Sequence, residues 1–450
     1  MPARVDRARR VAFDALRRVT GEEAYANLVL PGLLTERGIT GRDAAFATEL
    51  LNGTCRWLGT YDAVLAAAAG RPLSSLQPAV VDLLRLGTHQ LLGMRVGSHA
   101  AVSATVDLAA ATVGRRVTGL VNAVLRKVAA RDLDDWVTAL ATGDGHDRLG
   151  LAHAHPRWVV DAYADLLPDD ELVAALEADN VSPRVSLVVR PGLADVDELL
   201  DELDGTGERS RLSPFGVRTS GNPGDVPLVR TGRAGVQDEG SQLVAWGVTR
   251  PEAGRGPWLD LSAGPGGKTA LLAGLAAADG SRVLAGELAP HRAGLVVSGA
   301  RAYPLERRPQ VVVADATRPA WRPGTFTRVL ADVPCTGVGA LRRRPEARWR
   351  RDPADVEALH PLQRALLTTA LDAAAPGGVV AYVTCSPHRR ETVDVVEETL
   401  AGRDDVEVLP VGTVLPGILD ATTGPEGEFL QLWPHRHGTD AMFAAYLRRR

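Results

Sequence analysis

The sequence predicts a multidomain chain with an all-helical front, a small α+β middle and an α/β back built on a doubly wound sheet. Three observations carry this. Apolar residues recur at helical spacing through residues 1–140. Between 205 and 224 the chain is crowded with glycine, serine and proline, the residues of turns and loops. From about 236 short apolar strands alternate with helical stretches, the pattern of a parallel sheet with helices on both faces. At 450 residues there is room for two or three cores, and 45% hydrophobic content is ordinary for a globular protein. The expected domains are 1–140, 150–235 and 236–450.

Composition excludes several classes. No uncharged apolar run approaches a bilayer span, and the start (Arg4, Asp6, Arg7, Arg9, Arg10) lacks a signal-peptide apolar stretch, so a cytoplasmic monomer with no membrane partner is expected. Cys55, Cys335 and Cys385 are too few for a disulfide framework and do not space like a zinc site, so no metal is expected. The net charge of −4 announces no nucleic-acid binder, so such a role must rest on local patches. Lysine occurs only at Lys127 and Lys268, every other strong base being arginine.

In the front, Val5, Ala8, Ala12, Ala15, Leu16 and Val19 open the helical pattern. Leu76, Val80, Leu83 and Leu84 continue it, then Val102, Val106 and Ala109. The cleanest stripe is Leu120, Val121, Val124, Leu125 and Val128. Arginines gather at Arg9, Arg10, Arg17 and Arg18, and again at Arg115, Arg116, Arg126 and Lys127, which offers either a solvated face or a phosphate-binding surface. Residues 141–147 read as a linker, and His153 and His155 as a turn before a helix starting at Pro156.

The middle begins with a strand at Val185–Val189 and an acidic helix from Val196 to Leu203. In the back, strands are expected at Trp258–Leu261, Val283–Ala285, Gln310–Ala314, Arg328–Ala331 and Val379–Thr384. Further strands follow near Val406–Leu409, Phe429–Trp433 and Ala441–Leu447. A helix begins after Asp352, with Pro353 at its first position.

The first of these strands runs through Asp260 into Ser262, Ala263, Gly264, Pro265, Gly266, Gly267 and Lys268, and then into a helical run. Strand, glycine turn and helix hold nucleotide-like ligands, because the glycines admit the ligand and the helix start offers free N–H groups. In open α/β sheets the ligand lies beyond the carboxyl ends of the strands. Here those ends carry Glu287, Asp315, Asp332 and Cys385. Glu287 is placed to accept hydrogen bonds from ribose hydroxyls, and Asp315 to meet an adenine amino group.

Three cofactors compete for the turn. A phosphate-binding loop ending in Gly267-Lys268-Thr269 needs glycine where Ser262 stands, and Pro265 removes a backbone donor. A dinucleotide fingerprint needs a third glycine that this spacing misses. S-adenosylmethionine, a nucleoside without phosphates, tolerates both departures and is the favoured cofactor.

Beside such a methyl donor, Asp332-Val333-Pro334-Cys335 and Thr384-Cys385-Ser386-Pro387 bring an aspartate and two cysteines. Carbon 5 of cytosine is too weak a nucleophile to take a methyl group directly. A thiolate adding to carbon 6 activates it, an acidic group at the ring nitrogen 3 edge favours that addition, and a base then removes the carbon 5 proton. An aspartate such as Asp332 and two cysteines suit this sequence of steps. After Cys335, the residues Arg342, Arg343, Arg344, Arg348, Arg350 and Arg351, with Trp349 among them, are expected to hold an RNA backbone and stack a base.

These motifs resemble the RNA 5-methylcytosine methyltransferases of the Sun/Fmu/NOL family over nearly the whole chain. Residues 42–50 and Gly119–Lys127 resemble that family's NusB-like RNA-binding domain, Val236–Gln242 its lead into the catalytic fold and His437–Phe443 its closing strand. The resemblance implies an S-adenosylmethionine-dependent Rossmann-like domain. In it Ser262 to Lys268, Glu287, Asp315 and Asp332 would bind the cofactor, and Cys385 would be the nucleophile. Cys335 would assist proton removal or product release. DNA cytosine methyltransferases use a Pro-Cys cysteine as nucleophile, but Thr384-Cys385-Ser386 followed by Glu391 matches the RNA family. The chain departs from the family at Ser262, Gly264, Thr392 and Ala441, where cysteine, alanine, asparagine and glycine are usual. The expected substrate is small-subunit (16S) ribosomal RNA, with Arg126 and Lys127 among the RNA-binding residues. The alternatives are a transfer RNA cytosine-5 methyltransferase, a non-catalytic RNA-binding assembly factor and, weakest, a phosphate-loop ATPase.

Overall fold

The computed structural model describes residues 6–450, so Arg4 and Val5 lie outside the described residues. The chain divides into two compact units. One comprises the residues up to Val181 together with Leu341–Asp352, and the other comprises Ser182–Ala340 together with Pro353–Arg450.

The first unit is helical, as the apolar spacing dictates. Asp6 caps the helix Arg7–Gly21 by accepting from the Arg9 backbone N–H at 2.7 Å, and this helix buries Val11, Ala12, Ala15, Leu16 and Val19. Pro78 opens Pro78–Leu92, and Thr118–Val128 buries Val121, Val124, Leu125 and Val128. These two helices meet closely at Gly87, where an added Cβ would stand 2.6 Å from the Leu125 side chain. Asp82 is buried but compensated: Arg17 reaches it at 2.6 Å, Arg85 at 2.9 Å and the Thr20 hydroxyl at 2.7 Å.

The structure departs from the expected boundaries at two points. Most of the expected linker is ordered: Asp144 accepts from the His146 and Asp147 N–H groups and starts the helix Gly145–Ala152. The helices Arg157–Ala164 and Asp169–Ala178 then continue the first unit, so the middle domain expected at 150–235 is divided after Val181. Its second half keeps the expected strand and adds three more. Strands β1 (Val185–Val189), β2 (Gly207–Arg209), β3 (Gly216–Thr219) and β4 (Ala234–Val236) form an antiparallel sheet in the order β2-β3-β1-β4. Two of these strands fall in the stretch read as loop, because their apolar content is too short to show as alternation.

The second unit is dominated by a nine-stranded sheet. Its strands are β5 (Trp258–Asp260), β6 (Val283–Glu287), β7 (Gln310–Val313), β8 (Phe326–Asp332), β9 (Ala374–Thr384), β10 (Val406–Leu409), β11 (Thr422–Thr423), β12 (Phe429–Gln431) and β13 (Phe443–Arg449). The order is β11-β12-β13-β9-β8-β5-β6-β7, with β10 paired to β13. Strands β5 to β9 are parallel, whereas β13 runs antiparallel to β9 and closes that edge with its hairpin partners. The sheet is therefore mixed rather than wholly parallel. Its parallel strands read as continuous apolar runs because both faces are covered; Val329, Leu330, Ala331, Val379, Val380 and Val383 are at most 1% exposed.

The order fixes where a ligand belongs. From β5 the chain moves outward to β6 and β7, then returns to β8 on the other side of β5 and continues to β9. That reversal makes a topological switch point beyond the carboxyl ends of β5 and β8, the crevice such sheets use for ligands. Among the described residues no helix is long and apolar enough to cross a membrane.

Candidate active site

At the switch point β5 ends in Asp260, whose carboxylate is 1% exposed and accepts from the Thr269 hydroxyl at 2.7 Å. Burial pushes its pKa up to about 7; the Thr269 hydrogen bond opposes this rise and the nearby Asp332 adds to it. The turn Ser262–Gly266 follows, and the helix Gly267–Ala278 begins beneath it. Gly266 has φ +108°, and an added Cβ would lie 2.8 Å from the Val296 Cα, so no other residue fits there.

Glu287, the last residue of β6, turns its carboxylate onto this loop. Oε2 accepts from the Gly264 N–H and Oε1 from the Ala289 N–H, both at 2.9 Å. The space an alanine methyl would take at Gly264 is filled by Glu287 Oε2 and by Arg292, whose Nη2 donates to the Gly264 carbonyl at 2.6 Å. That gives the departure at Gly264 a local reason. Asp315 lies just beyond β7, and its Oδ1 accepts from the Thr317 N–H and hydroxyl at 2.9 and 2.7 Å. Those bonds hold its pKa below the usual carboxylate value.

Strands β8 and β9 pair in parallel with Asp332 opposite Val383, so the residues that follow each strand emerge side by side. The Cys335 and Cys385 sulfurs are 3.3 Å apart and hydrogen-bonded. That bond, burial and the neighbouring charges of Cys385 and Glu391 push the Cys335 thiol well above its ordinary pKa. The loop beyond Cys335 lies against the second cysteine: the Gly339 N–H donates to the Cys385 carbonyl at 2.9 Å, and a Cβ at Gly339 would stand 2.2 Å from the Ala441 oxygen.

Lys268 Nζ donates to Asp332 Oδ2 at 2.8 Å, joining the glycine turn to the end of β8. Burial by itself would lower the Lys268 pKa; the Asp332 carboxylate, with Cys385 and Asp260 adding, raises it above the ordinary lysine value. A compact ammonium on a flexible stem suits this reach where a guanidinium fork does not. The structure thus draws Ser262 to Lys268, Glu287, Asp332, Cys335 and Cys385 together in the second unit, with Asp315 at the edge beside Glu287.

Gln237 escaped the reading of the sequence. It is 7% exposed, neither atom of its amide has a hydrogen-bond partner, and its amide carbon lies 3.6 Å from where a side chain on Gly267 would begin. Its position directly after β4, in the stretch that leads into the catalytic fold, was the one available signal.

The arginine segment behaves differently from expectation. Arg342 and Arg348 are 7% and 0% exposed. Within the first unit Arg348 donates to the Ala154 carbonyl at 2.8 Å, the Asn180 side-chain oxygen at 2.9 Å and the Asp179 carbonyl at 3.2 Å. Burial lowers its pKa to about 10. Trp349 donates to the Cys55 carbonyl at 3.0 Å and packs on Gly59, while Arg350 donates to the Val19 and Ala24 carbonyls. A guanidinium spent on buried carbonyls offers nothing to a phosphate, so Arg348 is corrected from an RNA contact to an internal anchor, and burial likewise withdraws Arg342 from a phosphate. Arg344 is exposed and Arg343 half-buried. Arg126 and Lys127 are also exposed, although Lys127 Nζ donates to the Ala68 carbonyl at 3.0 Å.

A glycine turn at a switch point, an acidic residue ending the next strand, and an aspartate and two cysteines at the ends of the two strands opposite are the arrangement of a Rossmann-like methyltransferase. Comparison with known proteins makes the class narrower. Residues 249–448 match the family model "16S rRNA methyltransferase RsmB/F", and residues 6–130 match the NusB family. The Mycobacterium tuberculosis (strain CDC 1551 / Oshkosh) protein MT1451 is 52% identical, over 99% of this chain and 97% of its own. Ribosomal RNA small subunit methyltransferase B of Cronobacter sakazakii is 31% identical over 93% and 96%. The crystal structure of PH0851 shares the fold across 98% of both chains, with TM-score 0.83 and 22% identity. NSun6 from Pyrococcus horikoshii, solved with SFG, covers 66% of this chain and 99% of its own, with TM-score 0.56 and 17% identity. The chain belongs to the 16S rRNA methyltransferase RsmB/F family and is an RNA methyltransferase.

Proposed function

We propose that the protein methylates carbon 5 of a cytosine in 16S ribosomal RNA, using S-adenosylmethionine and a covalent adduct on Cys385. The observation that carries this reading is the Cys335–Cys385 pair, 3.3 Å between sulfurs, beside the Lys268–Asp332 ion pair and the glycine turn. The names of the relatives support the ribosomal substrate over transfer RNA, and two retained cysteines speak against a non-catalytic assembly factor.

The residues present fit the cofactor. Each Glu287 oxygen already accepts one backbone N–H and keeps a lone pair for a ribose hydroxyl. Asp315 offers an acceptor to an adenine amino group. Gln237 presents a donor and an acceptor to the carboxylate and ammonium of an amino-acid tail, the partners its buried amide otherwise lacks. SFG, an analogue of S-adenosylmethionine, occupies the structure of NSun6, which has this fold. Bound S-adenosylmethionine supplies the methyl group as an electrophile.

The chain's own residues do the rest. The Cys385 sulfur adds to carbon 6 of a cytosine drawn out of its stack. Nitrogen 3 takes a proton from the Asp332–Lys268 pair as that bond forms, which leaves carbon 5 electron-rich. After transfer carbon 5 gives up its proton to a water molecule, the Cys385 sulfur departs as a thiolate, and nitrogen 3 returns its proton to the Asp332–Lys268 pair. The Cys335 thiol, 3.3 Å away, donates a hydrogen bond to the departing sulfur, and this favours a role in product release. Incubation with labelled S-adenosylmethionine and protein-free 16S RNA tests the reading: Cys385→Ala abolishes transfer, while Cys335→Ala leaves RNA covalently attached. Full activity of Cys385→Ala would overturn it.

A further inference from the structure

Cys335 sits between two residues that are both held by the same buried carboxylate network. Glu391, 0% exposed, accepts the Thr336 N–H on Oε1 at 2.8 Å and the Thr336 hydroxyl on Oε2 at 2.5 Å. Gln363, also 0% exposed and on the helix Pro353–Ala373, donates from one Nε2 to Glu391 Oε1 at 3.1 Å and to the Pro334 carbonyl at 2.9 Å. The Tyr382 hydroxyl of β9 fixes the Glu391 backbone by donating to its carbonyl at 2.8 Å. The backbone is thus clamped on both sides of Cys335, and the clamp carries a buried negative charge.

The charge is placed asymmetrically. The Cys385 sulfur and the Glu391 carboxylate act most strongly on the Cys335 sulfur, and the Tyr382 phenol feels its charge; none of the three is cationic. The one ammonium of the site, Lys268, interacts with Cys385 instead. A carboxylate disfavours a nearby thiolate and an ammonium favours one. From this arrangement we infer that Glu391 is a positioning residue, acting with Gln363, that holds Cys335 in place and keeps it a protonated thiol, so that Cys385 is the cysteine that ionises. This rests on the cytosine-adduct reading for its catalytic consequence, and not for the state of the thiol.

The substitution Glu391→Gln separates charge from placement. A glutamine can accept the Thr336 and Gln363 N–H bonds through its oxygen and donate to the Thr336 hydroxyl through its nitrogen, so every hydrogen bond is kept and the charge is lost. Glu391→Ala removes both. In full-length protein carrying Cys385→Ala, the rate of Cys335 alkylation by iodoacetamide is followed against pH, with the modified site read by mass spectrometry. Adding Glu391→Gln moves the profile to lower pH and raises the rate at pH 8 about tenfold, the effect of one pKa unit. With both cysteines present and 16S RNA added, Glu391→Ala accumulates covalent RNA adduct in several-fold excess over Glu391→Gln, while affinity for S-adenosylmethionine is the same in both. An unmoved alkylation profile in Glu391→Gln overturns the proposal whatever Glu391→Ala does, and so does equal trapping by the two variants. If the profile moves but the parent protein itself never forms an adduct or methylates RNA, the cytosine reading fails and the role of Glu391 in setting the thiol stands.

Discussion

Replacing Lys268 by methionine keeps the aliphatic stem and removes the ammonium that faces Asp332. The pair is 2.8 Å apart, with side chains 15% and 26% exposed, so it is neither fully dry nor fully screened. At an effective dielectric near 20 the gross Coulomb attraction is about 6 kcal/mol, most of it offset by the cost of desolvating both ions. What matters for rate is the part that grows as negative charge develops on the cytosine ring, and a preorganised group of this kind contributes about 3 kcal/mol. Adduct formation by Lys268→Met should therefore slow about a hundredfold. Lys268→Arg should recover little of it, because the wider fork cannot occupy the place of one Nζ. Since the Lys268 pKa is raised, the ammonium stays charged through the working range, and because it also interacts with Cys385 its loss should move the pH profile of adduct formation to higher pH as well as lower the rate. The assay is single-turnover methyl transfer to 16S RNA with quenched-flow detection of the protein–RNA adduct. Adduct formation at the parental rate in Lys268→Met would show that the ion pair is only a strut between the turn and β8.

Three further outcomes are expected. Gln237→Ala should weaken S-adenosylmethionine binding about tenfold by calorimetry without lowering the melting temperature, since in the free protein it removes an amide that has no partner. Asp260 has its folded pKa raised from 3.8 to about 7, so the native state holds its proton more tightly than the unfolded chain. The stability this adds is complete below pH 4 and is lost as pH rises through 7, at up to about 1.4 kcal/mol per unit, and Asp260→Asn should flatten that slope in urea titrations. Arg348→Met should cost the first unit about 3 kcal/mol in denaturant melts, because the Ala154 and Asp179 carbonyls and the Asn180 oxygen lose their donor inside the fold.

The strand-end residues were legible because a parallel sheet leaves little choice. Its strands are apolar runs, and whatever polar residue ends each run must stand on one edge. Glu287, Asp315, Asp332 and Cys385 follow from that rule alone. The partner of Lys268 did not, since Asp332 lies 64 positions away and becomes a neighbour only when β8 is laid beside β5. Gln237 was invisible for a related reason: its distinguishing mark is a lack of partners, which exists only in the folded chain. The arginine run misled because charge runs are judged by their immediate neighbours, and the groups that consume Arg348 and Arg350 are backbone carbonyls more than a hundred residues distant. A three-residue strand such as β2 has no periodicity to read.

The twelve residues Leu341–Asp352 belong to the first unit although the chain on either side of them belongs to the second. The helical front is therefore not a removable module. A gene shortened to begin at Ser182 would still encode this segment, with its six arginines and Trp349, and would have deleted every carbonyl that Arg348, Trp349 and Arg350 satisfy. Five residues separate that stretch from Cys335. Inheritance of the two units is coupled by the path of the chain, and shuffling one without the other would need a rewritten loop at the catalytic strand.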